Sequence, residues 1–362
     1  MKQVFLIGNH DVVIYNFRHE IIERLLQDGY KVGVVLPYGE KVELLKKEGC
    51  FFFETKVDRR GTSIWKDAKL FFTYYKLLRQ EKPDIILTYT IKPNIYGSLA
   101  AGIQKIPCIV NITGLGSAVE NEGIMKKISL SLYKLALRNV NYVFFQNQSN
   151  RNLFIKRHIC VGKHDLLPGS GVNVKRQSLQ KYPEGKTKFV FVGRLMREKG
   201  IEEYLYAARV MKQNYPDTEF HICGFCEEAY LQKVKELQEK KIVTYHGMVQ
   251  DMRDIYREMS CIVLPSYHEG MSNVLLEAAA TGRPGIASRI PGCEEIIEHG
   301  KTGYLFERKS REQLCETIEK FLCLSYEERA NMGLAARRKM EKDFDRKIIV
   351  NKYMDVIKEL EK

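Results

Sequence analysis

The sequence predicts an α/β protein built from two doubly wound, Rossmann-like domains, each with a parallel sheet covered by helices on both faces. Short runs rich in β-branched and aromatic residues alternate with helical stretches along the chain, and this order is typical of parallel sheets. The alternation stops and then restarts at residue 188. The segment between the two series, 169–187, is polar and contains Gly and Pro, as domain linkers often do.

The first series predicts an N-terminal domain over residues 1–168. An amphipathic helix over 19–29, ended by Gly29, separates the first two strands. The predicted strands cover residues 3–8, 31–37, 84–90, 107–113 and 141–147.

The second series predicts a C-terminal domain over residues 188–345, followed by a closing helix within 346–362. A helix over 201–215 follows its first strand. Ligands of such folds bind outside the carboxyl ends of the strands, so we expect the two domains to face each other across a cleft. The predicted strands cover residues 188–195, 219–224, 243–247, 261–267, 284–288 and 303–306.

Several features of the sequence indicate the cellular compartment. The 362 residues include nine scattered cysteines, which is typical of a reducing compartment rather than a disulfide scaffold. We expect Cys223 and Cys226, a lone CxxC, to be core thiols. The N-terminus does not resemble a signal peptide, and no apolar run is long enough to span a membrane. We therefore expect a cytoplasmic protein.

The net charge of +13 is concentrated in the first half. Residues 1–170 hold 25 Lys and Arg against 15 Asp and Glu, whereas the remainder holds 33 against 30. Nucleic acid, anionic lipid or a phosphorylated substrate would each fit a basic half. No RNA-binding motif, zinc finger or helix-turn-helix pattern is evident, so no nucleic-acid partner is expected.

The stretch VFVGRLMREKG (190–200) predicts an anion site after the first strand of the second domain. Gly193 ends the strand and allows a ligand to approach the backbone. Arg194 and Lys199 then place two cations at the same rim of the sheet, which suits a diphosphate. The alternative is an ordinary charged surface loop.

The stretch PSYHEGMSNVLLEAAATGRP (265–284) adds two carboxylates and a helix N-terminus at that rim. Glu269 precedes the helix, and the backbone amides at its start form an anion site. Glu277 shares a helix face with Asn273 and can accept hydrogen bonds from two neighbouring hydroxyls, as on a ribose. The alternative for Glu277 is an ion pair with Arg283. The residues that supply the amides are Gly270, Met271, Ser272, Asn273 and Val274.

The spacing of Glu269 and Glu277, after a VGRL-EKG loop, resembles the retaining glycosyltransferases of family 4, which have the glycosyltransferase B fold. Residues 291–306 and 344–360 are similar to the segments that follow in that family, so the resemblance spans nearly the whole chain. It implies that Arg194 and Lys199 bind the donor diphosphate and that Glu277 holds the ribose. It also implies that Glu269 binds the donor sugar.

The resemblance extends to the reaction. Met248 falls where the family often places the nucleotide base. The implied reaction moves a hexose or N-acetylhexosamine from a UDP-sugar to an undecaprenyl-diphosphate-linked saccharide. No cofactor and no metal is expected, since the DxD of Asp343 and Asp345 lies far along the chain from these loops.

Two loops of the first domain, 89–101 and 111–123, are similar to those of polysaccharide-making members of the family, and a third loop, 8–11, follows the first strand. We expect them to border the acceptor or the cleft, although His10 has the alternative of capping a helix. Thr113 stands where many relatives carry a histidine assigned to the donor sugar, so the donor sugar stays open. The residues concerned are Gly8, Asn9, His10, Lys92, Asn94, Thr113 and Gly114.

A basic segment with aromatic residues, 56–82, predicts contact with an anionic membrane. A second basic amphipathic stretch covers 125–139. The alternative is a packed helix with a solvated charged face. Together with the implied acceptor, these segments predict a peripheral protein on the inner face of the bacterial plasma membrane. The candidate contacts are Arg59, Arg60, Trp65, Lys66, Lys69, Lys76 and Arg79.

Three other functions remain open on the sequence. A sugar-nucleotide 2-epimerase shares the implied fold but acts on the nucleotide sugar alone, and the glutamate spacing argues against it. A nucleic-acid-binding protein would use the basic half. A non-catalytic membrane scaffold would keep the fold without donor turnover.

Overall fold

The computed structural model describes residues 1–58, 61, 63–114, 124–160 and 162–361. Its chain divides into two compact units. The first unit comprises Met1–Ser170 together with Arg346–Lys362, and the second comprises Gly171–Asp345. The chain thus leaves the first unit, builds the second and returns.

The first unit contains a seven-stranded parallel sheet with the order β3-β2-β1-β4-β5-β6-β7. Buried aliphatic and aromatic side chains from alternate strand positions form a separate core on each face, as expected when helices cover both faces of a parallel sheet. The strands are β1 (Gln3–Ile7), β2 (Lys31–Leu36), β3 (Phe51–Glu54), β4 (Ile85–Tyr89), β5 (Cys108–Ile112), β6 (Tyr142–Phe145) and β7 (Lys163–Leu166).

Helices cover both faces of this sheet. A single π-turn at Pro93–Gly97 precedes α4. The helices are α1 (Asp11–Gln27), α2 (Val42–Lys47), α3 (Ile64–Glu81), α4 (Ser98–Gln104), α5 (Ile124–Ala136), α6 (Gln148–Lys156) and, from the end of the chain, α13 (Arg346–Leu360).

The second unit contains a six-stranded parallel sheet with the order β10-β9-β8-β11-β12-β13. Its strands are β8 (Lys188–Val192), β9 (Glu219–Cys223), β10 (Thr244–Tyr245), β11 (Cys261–Leu264), β12 (Gly285–Ser288) and β13 (Gly303–Phe306). Its helices are α7 (Ile201–Asn214), α8 (Glu228–Glu239), α9 (Arg253–Glu258), α10 (Asn273–Ala280), α11 (Arg311–Leu322) and α12 (Tyr326–Asp343).

Helix α13 is part of the first unit although it follows the second in the sequence. Arg346 at its start forms an ion pair with Glu20 of α1 at 2.9 Å. Further along, the fully buried Tyr353 accepts a hydrogen bond from the Asn111 side chain at 2.5 Å. Its ring also packs against Phe144, with 4.8 Å between ring centroids. Helix α13 therefore covers one face of the first sheet.

The predicted linker 169–187 is mostly part of the second unit. Arg283 donates to the carbonyls of Gln180 and Lys181, and Arg337 donates to the carbonyls of Gln177 and Val174. These two arginines hold the segment against the second unit, so the division between units falls at Ser170 and Gly171 rather than over a free connector.

Several element boundaries differ from prediction. Helix α1 begins at Asp11 rather than near residue 19, because His10 caps it. Strands β3 and β7 were not predicted; both are short, and neither has a fully buried residue to mark it. The predicted strand over 261–267 ends at Leu264, so that Pro265 to Tyr267 already belong to the loop.

Candidate functional site

The strand order of the second unit reverses between β8 and β11, which lie side by side. From β8 the chain proceeds to β9 and β10 on one side, while β12 and β13 lie on the other. The loops after β8 and β11 therefore diverge from a shared gap at the carboxyl ends of the strands. Doubly wound sheets bind ligands at such a point, and both predicted loops lie there.

The loop after β8 is held tightly against the loop after β11. Gly200 has φ of +74°, and a Cβ built on it would lie 2.0 Å from the carbonyl oxygen of Pro265. The backbone N–H of Tyr267 also donates to the carbonyl of Glu198 at 2.9 Å. A side chain at position 200 would separate the two loops, so the glycine keeps them in contact.

Two cationic side chains of the loop after β8 have different surroundings. Arg194 is exposed, directly after Gly193, whereas Lys199 ends a short 3₁₀ turn and is half-buried. Gly193 itself is approached closely by Gly224 of the next loop, where a Cβ would lie 1.9 Å from the Gly193 carbonyl oxygen. Strand β8 is thus followed by a glycine without a side chain, and the Arg194 cation comes next to it.

The loop after β11 leads directly into α10. The Ser272 side chain caps this helix by accepting from the backbone N–H of Leu275 at 3.3 Å. Met271 and Ser272 are buried, while Gly270, Asn273 and Val274 are half-buried. The helix therefore begins where the sequence predicted, with its positive N-terminal end at the same edge as Lys199.

Lys199 and Glu269 form an ion pair between the two loops. The ammonium donates to Oε1 of Glu269 at 2.7 Å. The side chains are 26% and 13% exposed, respectively, so the pair is partly shielded from water and still reachable by a ligand. One positive and one negative group thus lie together where a diphosphate and a polyol could bind side by side.

Glu277 lies in the second turn of α10 and is half-buried. The hydroxyl of Tyr256 donates to its Oε2 over 3.4 Å. The alternative partner Arg283 directs all five of its N–H groups to backbone carbonyls, so it has none left for Glu277. These carbonyls belong to Tyr256, Gln180, Gly282, Lys181 and Arg257.

Met248 lies in the loop after β10 and is 71% exposed. A backbone hydrogen bond from Gly224 to Gly247 at 2.7 Å joins this loop to the loop after β9. Phe225 of that loop is 55% exposed, and its carbonyl accepts from the N–H of Leu195, beside Arg194. The edge next to Arg194 therefore carries exposed apolar side chains, of which only Met248 was predicted.

The residues predicted from the first unit have mixed placements. Gly8 and Asn9 follow β1, and the His10 side chain accepts from the N–H of Val12 at 3.2 Å, as a helix cap. The capping alternative for His10 is therefore correct, and this contact occupies Nδ1.

The loop after β4 carries Lys92 and Asn94. Lys92 pairs with Asp67 at 2.6 Å. Asn94 is 1% exposed and donates to the carbonyl of Asn111, so it supports the loop from inside and is closed to direct contact with an acceptor. Thr113 and Gly114 follow β5 and are half-buried.

Helix α3 presents a stripe of basic and aromatic side chains to solvent. Trp65 and Phe72 are 87% and 58% exposed, and Lys66 forms an exposed ion pair with Asp58 at 2.8 Å. Steps of four, three, four and three residues place the stripe on one helix face. Arg59 and Arg60 lie outside the described residues. We define the α3 stripe as Trp65, Lys69, Phe72, Lys76 and Arg79, all exposed.

A cavity of about 760 Å³ opens beside the first turns of α3, and Thr55, Lys56 and Lys69 are among its lining residues. Within the described ranges, no helix has the length and apolarity that a membrane span requires.

Sequence reasoning missed the side chains that fix the predicted ones in place. Tyr256 contacts Glu277, and Tyr267 donates to Glu203 at 2.7 Å. Tyr267 stands two positions before Glu269 in the sequence, which is the only local signal. Its partner is 64 residues away, and no spacing rule predicts that contact.

Comparison with known proteins follows the same division of the chain. The family model described as "Glycosyl transferase 4-like" matches residues 3–147. The model described as "Glycosyl transferases group 1" matches residues 174–339. The two matches fall within the first and second units, respectively.

Curated relatives match over most of their length. A Campylobacter jejuni N,N'-diacetylbacillosaminyl-diphospho-undecaprenol α-1,3-N-acetylgalactosaminyltransferase is 28% identical, with 94% of each chain covered. An Escherichia coli UDP-Gal:α-D-GlcNAc-diphosphoundecaprenol α-1,3-galactosyltransferase is 27% identical, with 68% of each covered. The Staphylococcus aureus capsular polysaccharide glycosyltransferase CapM is 23% identical, covering 91% of this chain and 90% of CapM.

Solved structures share the fold. The sucrose-phosphate synthase of Thermosynechococcus elongatus has a TM-score of 0.81 at 18% identity, with 99% of each chain covered. Anabaena HepE, solved in complex with UDP and glucose, has a TM-score of 0.78 at 17% identity, with 99% of this chain and 100% of that chain covered. The two parallel-sheet units are thus those of the glycosyltransferase B fold.

Proposed function

We propose a specific reaction for this chain, which belongs to the glycosyltransferases described by the group 1 and 4-like families. It moves a hexose or N-acetylhexosamine from a UDP-sugar to a saccharide carried on undecaprenyl diphosphate. The acceptor class rests on the Campylobacter and Escherichia relatives, whose names specify such acceptors. UDP as the nucleotide is supported by the Escherichia relative and by HepE.

The observation that carries the proposal is the ion pair of Lys199 and Glu269, 2.7 Å apart at the switch point of the second sheet. When the donor binds, the Lys199 ammonium turns to the diphosphate and the Glu269 carboxylate accepts hydrogen bonds from sugar hydroxyls. Arg194 and the amides at the start of α10 bind the remaining phosphate oxygens. Glu277 accepts from the ribose hydroxyls, and Met248 covers the base.

The chemistry follows from where charge develops. The bond between the anomeric carbon and the β-phosphate oxygen breaks, so negative charge grows on UDP and positive character grows on the sugar. Arg194, Lys199 and the α10 N-terminus stabilise that negative charge. The acceptor hydroxyl then bonds to the same face of the sugar, and its proton passes to the departing phosphate. Configuration is retained, and the proposal requires no metal or cofactor.

We further propose that the first unit binds the inner face of the plasma membrane through the α3 stripe. Its three cations suit anionic headgroups, and its two aromatic rings suit the interfacial region. The loops carrying His10, Lys92 and Thr113 follow neighbouring strands of that unit and border the acceptor. A lipid-linked acceptor and a peripheral enzyme would then meet at the same surface.

The first test is calorimetric binding of UDP, GDP and ADP to the purified full chain with a chelator present. We expect UDP to bind in preference to the other two. Preference for GDP or ADP would change the donor, and metal-dependent UDP binding would contradict the metal-free scheme. No binding of any nucleotide would overturn the proposal in favour of a scaffold.

A second candidate, the 2-epimerase, is tested by product analysis. Incubation with UDP-N-acetylglucosamine alone would yield a UDP-linked epimer if the chain were an epimerase. The proposed enzyme instead releases UDP and lengthens the lipid-linked acceptor. Turnover that yields a new nucleotide sugar and leaves the acceptor unchanged would exclude the transferase.

A further inference from the structure

Tyr267 and Glu203 form a hydrogen bond between the loop after β11 and the first turn of α7. The Tyr267 hydroxyl lies 2.7 Å from Oε1 of Glu203. The two residues are only 7% and 9% exposed. Tyr267 precedes Glu269 by two positions, and Glu203 follows Lys199 by four in the first turn of α7. Each partner is therefore close in sequence to one member of the ion pair.

This hydrogen bond contributes less to stability than apolar packing at the same place would. Oε2 of Glu203 is buried, and among the described residues it has no hydrogen-bond partner. A buried carboxylate with one unsatisfied oxygen is destabilising, and two apolar side chains would pack here at less cost. What a hydrogen bond adds over apolar packing is direction. The pair is thus better explained by a demand for geometry than by a demand for stability.

The direction it imposes concerns Glu269. Besides the side-chain bond, the N–H of Tyr267 donates to the Glu198 carbonyl at 2.9 Å. Tyr267 is thereby fixed at both its backbone and its hydroxyl to the segment that carries Lys199. The Lys309 ammonium, 5.0 Å from the centre of the Tyr267 ring, restrains the ring from a third side. These contacts limit how far the start of the segment leading to Glu269 can move relative to the segment that carries Lys199.

We propose that Tyr267 and Glu203 are positioning residues for the transfer. They hold the Glu269 carboxylate in register with Lys199, so that the sugar and the diphosphate of one donor meet the two groups at once. This role rests on the proposed function. Neither residue is among the groups assigned to the donor, and the groups assigned to UDP do not include Glu269. The pair therefore affects sugar transfer and leaves UDP affinity nearly unchanged.

The experiment compares UDP binding with turnover in the full chain. Tyr267→Phe keeps the ring and removes the hydroxyl. We expect kcat for UDP release from UDP-N-acetylgalactosamine or UDP-galactose, with a lipid-linked saccharide acceptor, to fall about 10- to 100-fold. The calorimetric Kd for UDP should change by less than about threefold. Glu203→Gln keeps a carbonyl acceptor for the hydroxyl, so it should retain kcat within about threefold of the wild type, whereas Glu203→Leu should resemble Tyr267→Phe.

A control hydrogen bond is made by Glu202, the neighbour of Glu203 in α7. The Tyr230 hydroxyl of α8 donates to Oε1 of Glu202 at 3.0 Å in an exposed position. Tyr230→Phe deletes the same kind of hydrogen bond. We expect its kcat to equal that of the wild type.

The possible outcomes distinguish a failure of the positioning role from a failure of the proposed function. If the wild type turns over the donor and Tyr267→Phe has the same kcat, the positioning role alone would be overturned. A parallel loss of UDP affinity, kcat and unfolding temperature in Tyr267→Phe would also overturn it, because the bond would then be merely structural. Failure of the wild type to bind UDP and to turn over either donor would overturn the proposed function, and the positioning role with it.

Discussion

The Tyr256 hydroxyl donates a long hydrogen bond to the Glu277 carboxylate, with 3.4 Å between the two oxygens. Burial raises the pKa of Tyr256 well above its ordinary value, and the charge of Glu277 raises it further. The hydroxyl therefore stays protonated at any physiological pH and remains a donor. It orients one carboxylate oxygen of Glu277.

Glu277→Gln is expected to weaken UDP binding by about 1–3 kcal/mol, because a neutral amide accepts hydrogen bonds from the ribose hydroxyls less strongly than a carboxylate does. Calorimetry with UDP measures the change. Glu312→Gln, at an exposed position of α11, is the control and should bind UDP like the wild type. Unchanged affinity in Glu277→Gln would remove this residue from its assigned role.

Lys199→Met is expected to weaken UDP binding and to lower kcat by about 10²- to 10³-fold, since it removes a cation from the departing diphosphate. Glu269→Gln should lower kcat while changing the Kd for UDP by less than about threefold, because UDP has no donor sugar. Lys212→Met is the control, as the Lys212 ammonium donates to the Pro216 carbonyl just beyond the end of α7. Equal effects of the two site variants on UDP binding would refute the division of roles.

Membrane contact is tested by replacing Lys69, Lys76 and Arg79 of the α3 stripe with Ser. Each cation near an anionic surface contributes about 1 kcal/mol, so flotation with phosphatidylglycerol vesicles should fall sharply, while UDP binding stays intact. The matched control replaces three lysines of the second unit with Ser. Vesicle binding that survives the stripe variant, or falls equally in the control, would refute the α3 surface. The control lysines are Lys235, Lys240 and Lys241, all exposed.

A stacked histidine pair makes stability depend on pH. Nδ1 of His221 lies 2.9 Å from Nε2 of His246. Burial lowers the pKa of both residues, and the charge of His246 lowers that of His221 further, against an opposing effect of Glu219. Lys188 lowers the His221 pKa, and Glu258 raises the His246 pKa.

Since the unfolded chain binds these protons more readily than the folded one, the pair's stability is fully present above the ordinary pKa of 6.5 and is lost as pH falls toward the lowered values. Urea unfolding should therefore show a free energy of unfolding that declines as pH falls below the ordinary pKa of 6.5. Replacing both histidines with Asn should flatten that decline, and replacing the exposed His158 with Asn should not. An unaltered slope in the double variant would exclude the pair as the cause.

Arg283 is expected to be the most destabilising of the arginine replacements in the second unit. It is 1% exposed and serves five backbone carbonyls. Burial lowers its pKa to about 10, so it is still charged at neutral pH. Arg283→Met leaves those carbonyls unpaired and should cost about 3 kcal/mol or more in urea unfolding. Arg257→Met, at an exposed ion pair, should cost less than about 1 kcal/mol.

The sequence was sufficient for the parts of the site that depend on local patterns. The start of α10 at Asn273 follows from its cap and its apolar run, and the loops after β8 and β11 follow from the ends of two buried strands. That these loops lie at one edge of the sheet could be inferred from strand alternation, because parallel strands end at one edge, whereas the strand order that makes a switch point could not.

The contacts that set side-chain geometry could not be predicted. Lys199 and Glu269 are 70 residues apart, and they are brought together by contacts between distant segments, such as the packing of Gly200 against Pro265 and the backbone bond from Tyr267 to Glu198. The same limitation applies to Arg283, whose five acceptors come from three separate segments. Asn94 was expected at a ligand surface, but its amide is directed inward by a backbone carbonyl that no pattern identifies.

The return of α13 to the first unit has a consequence for biosynthesis. Ribosomes deliver a chain from its N-terminus, and domains generally fold as they emerge. The first sheet cannot receive Tyr353 and its neighbours until the entire second unit has been translated. Until then the part of the apolar face that α13 covers stays exposed, and it does so for longer than in a chain whose units are contiguous in sequence.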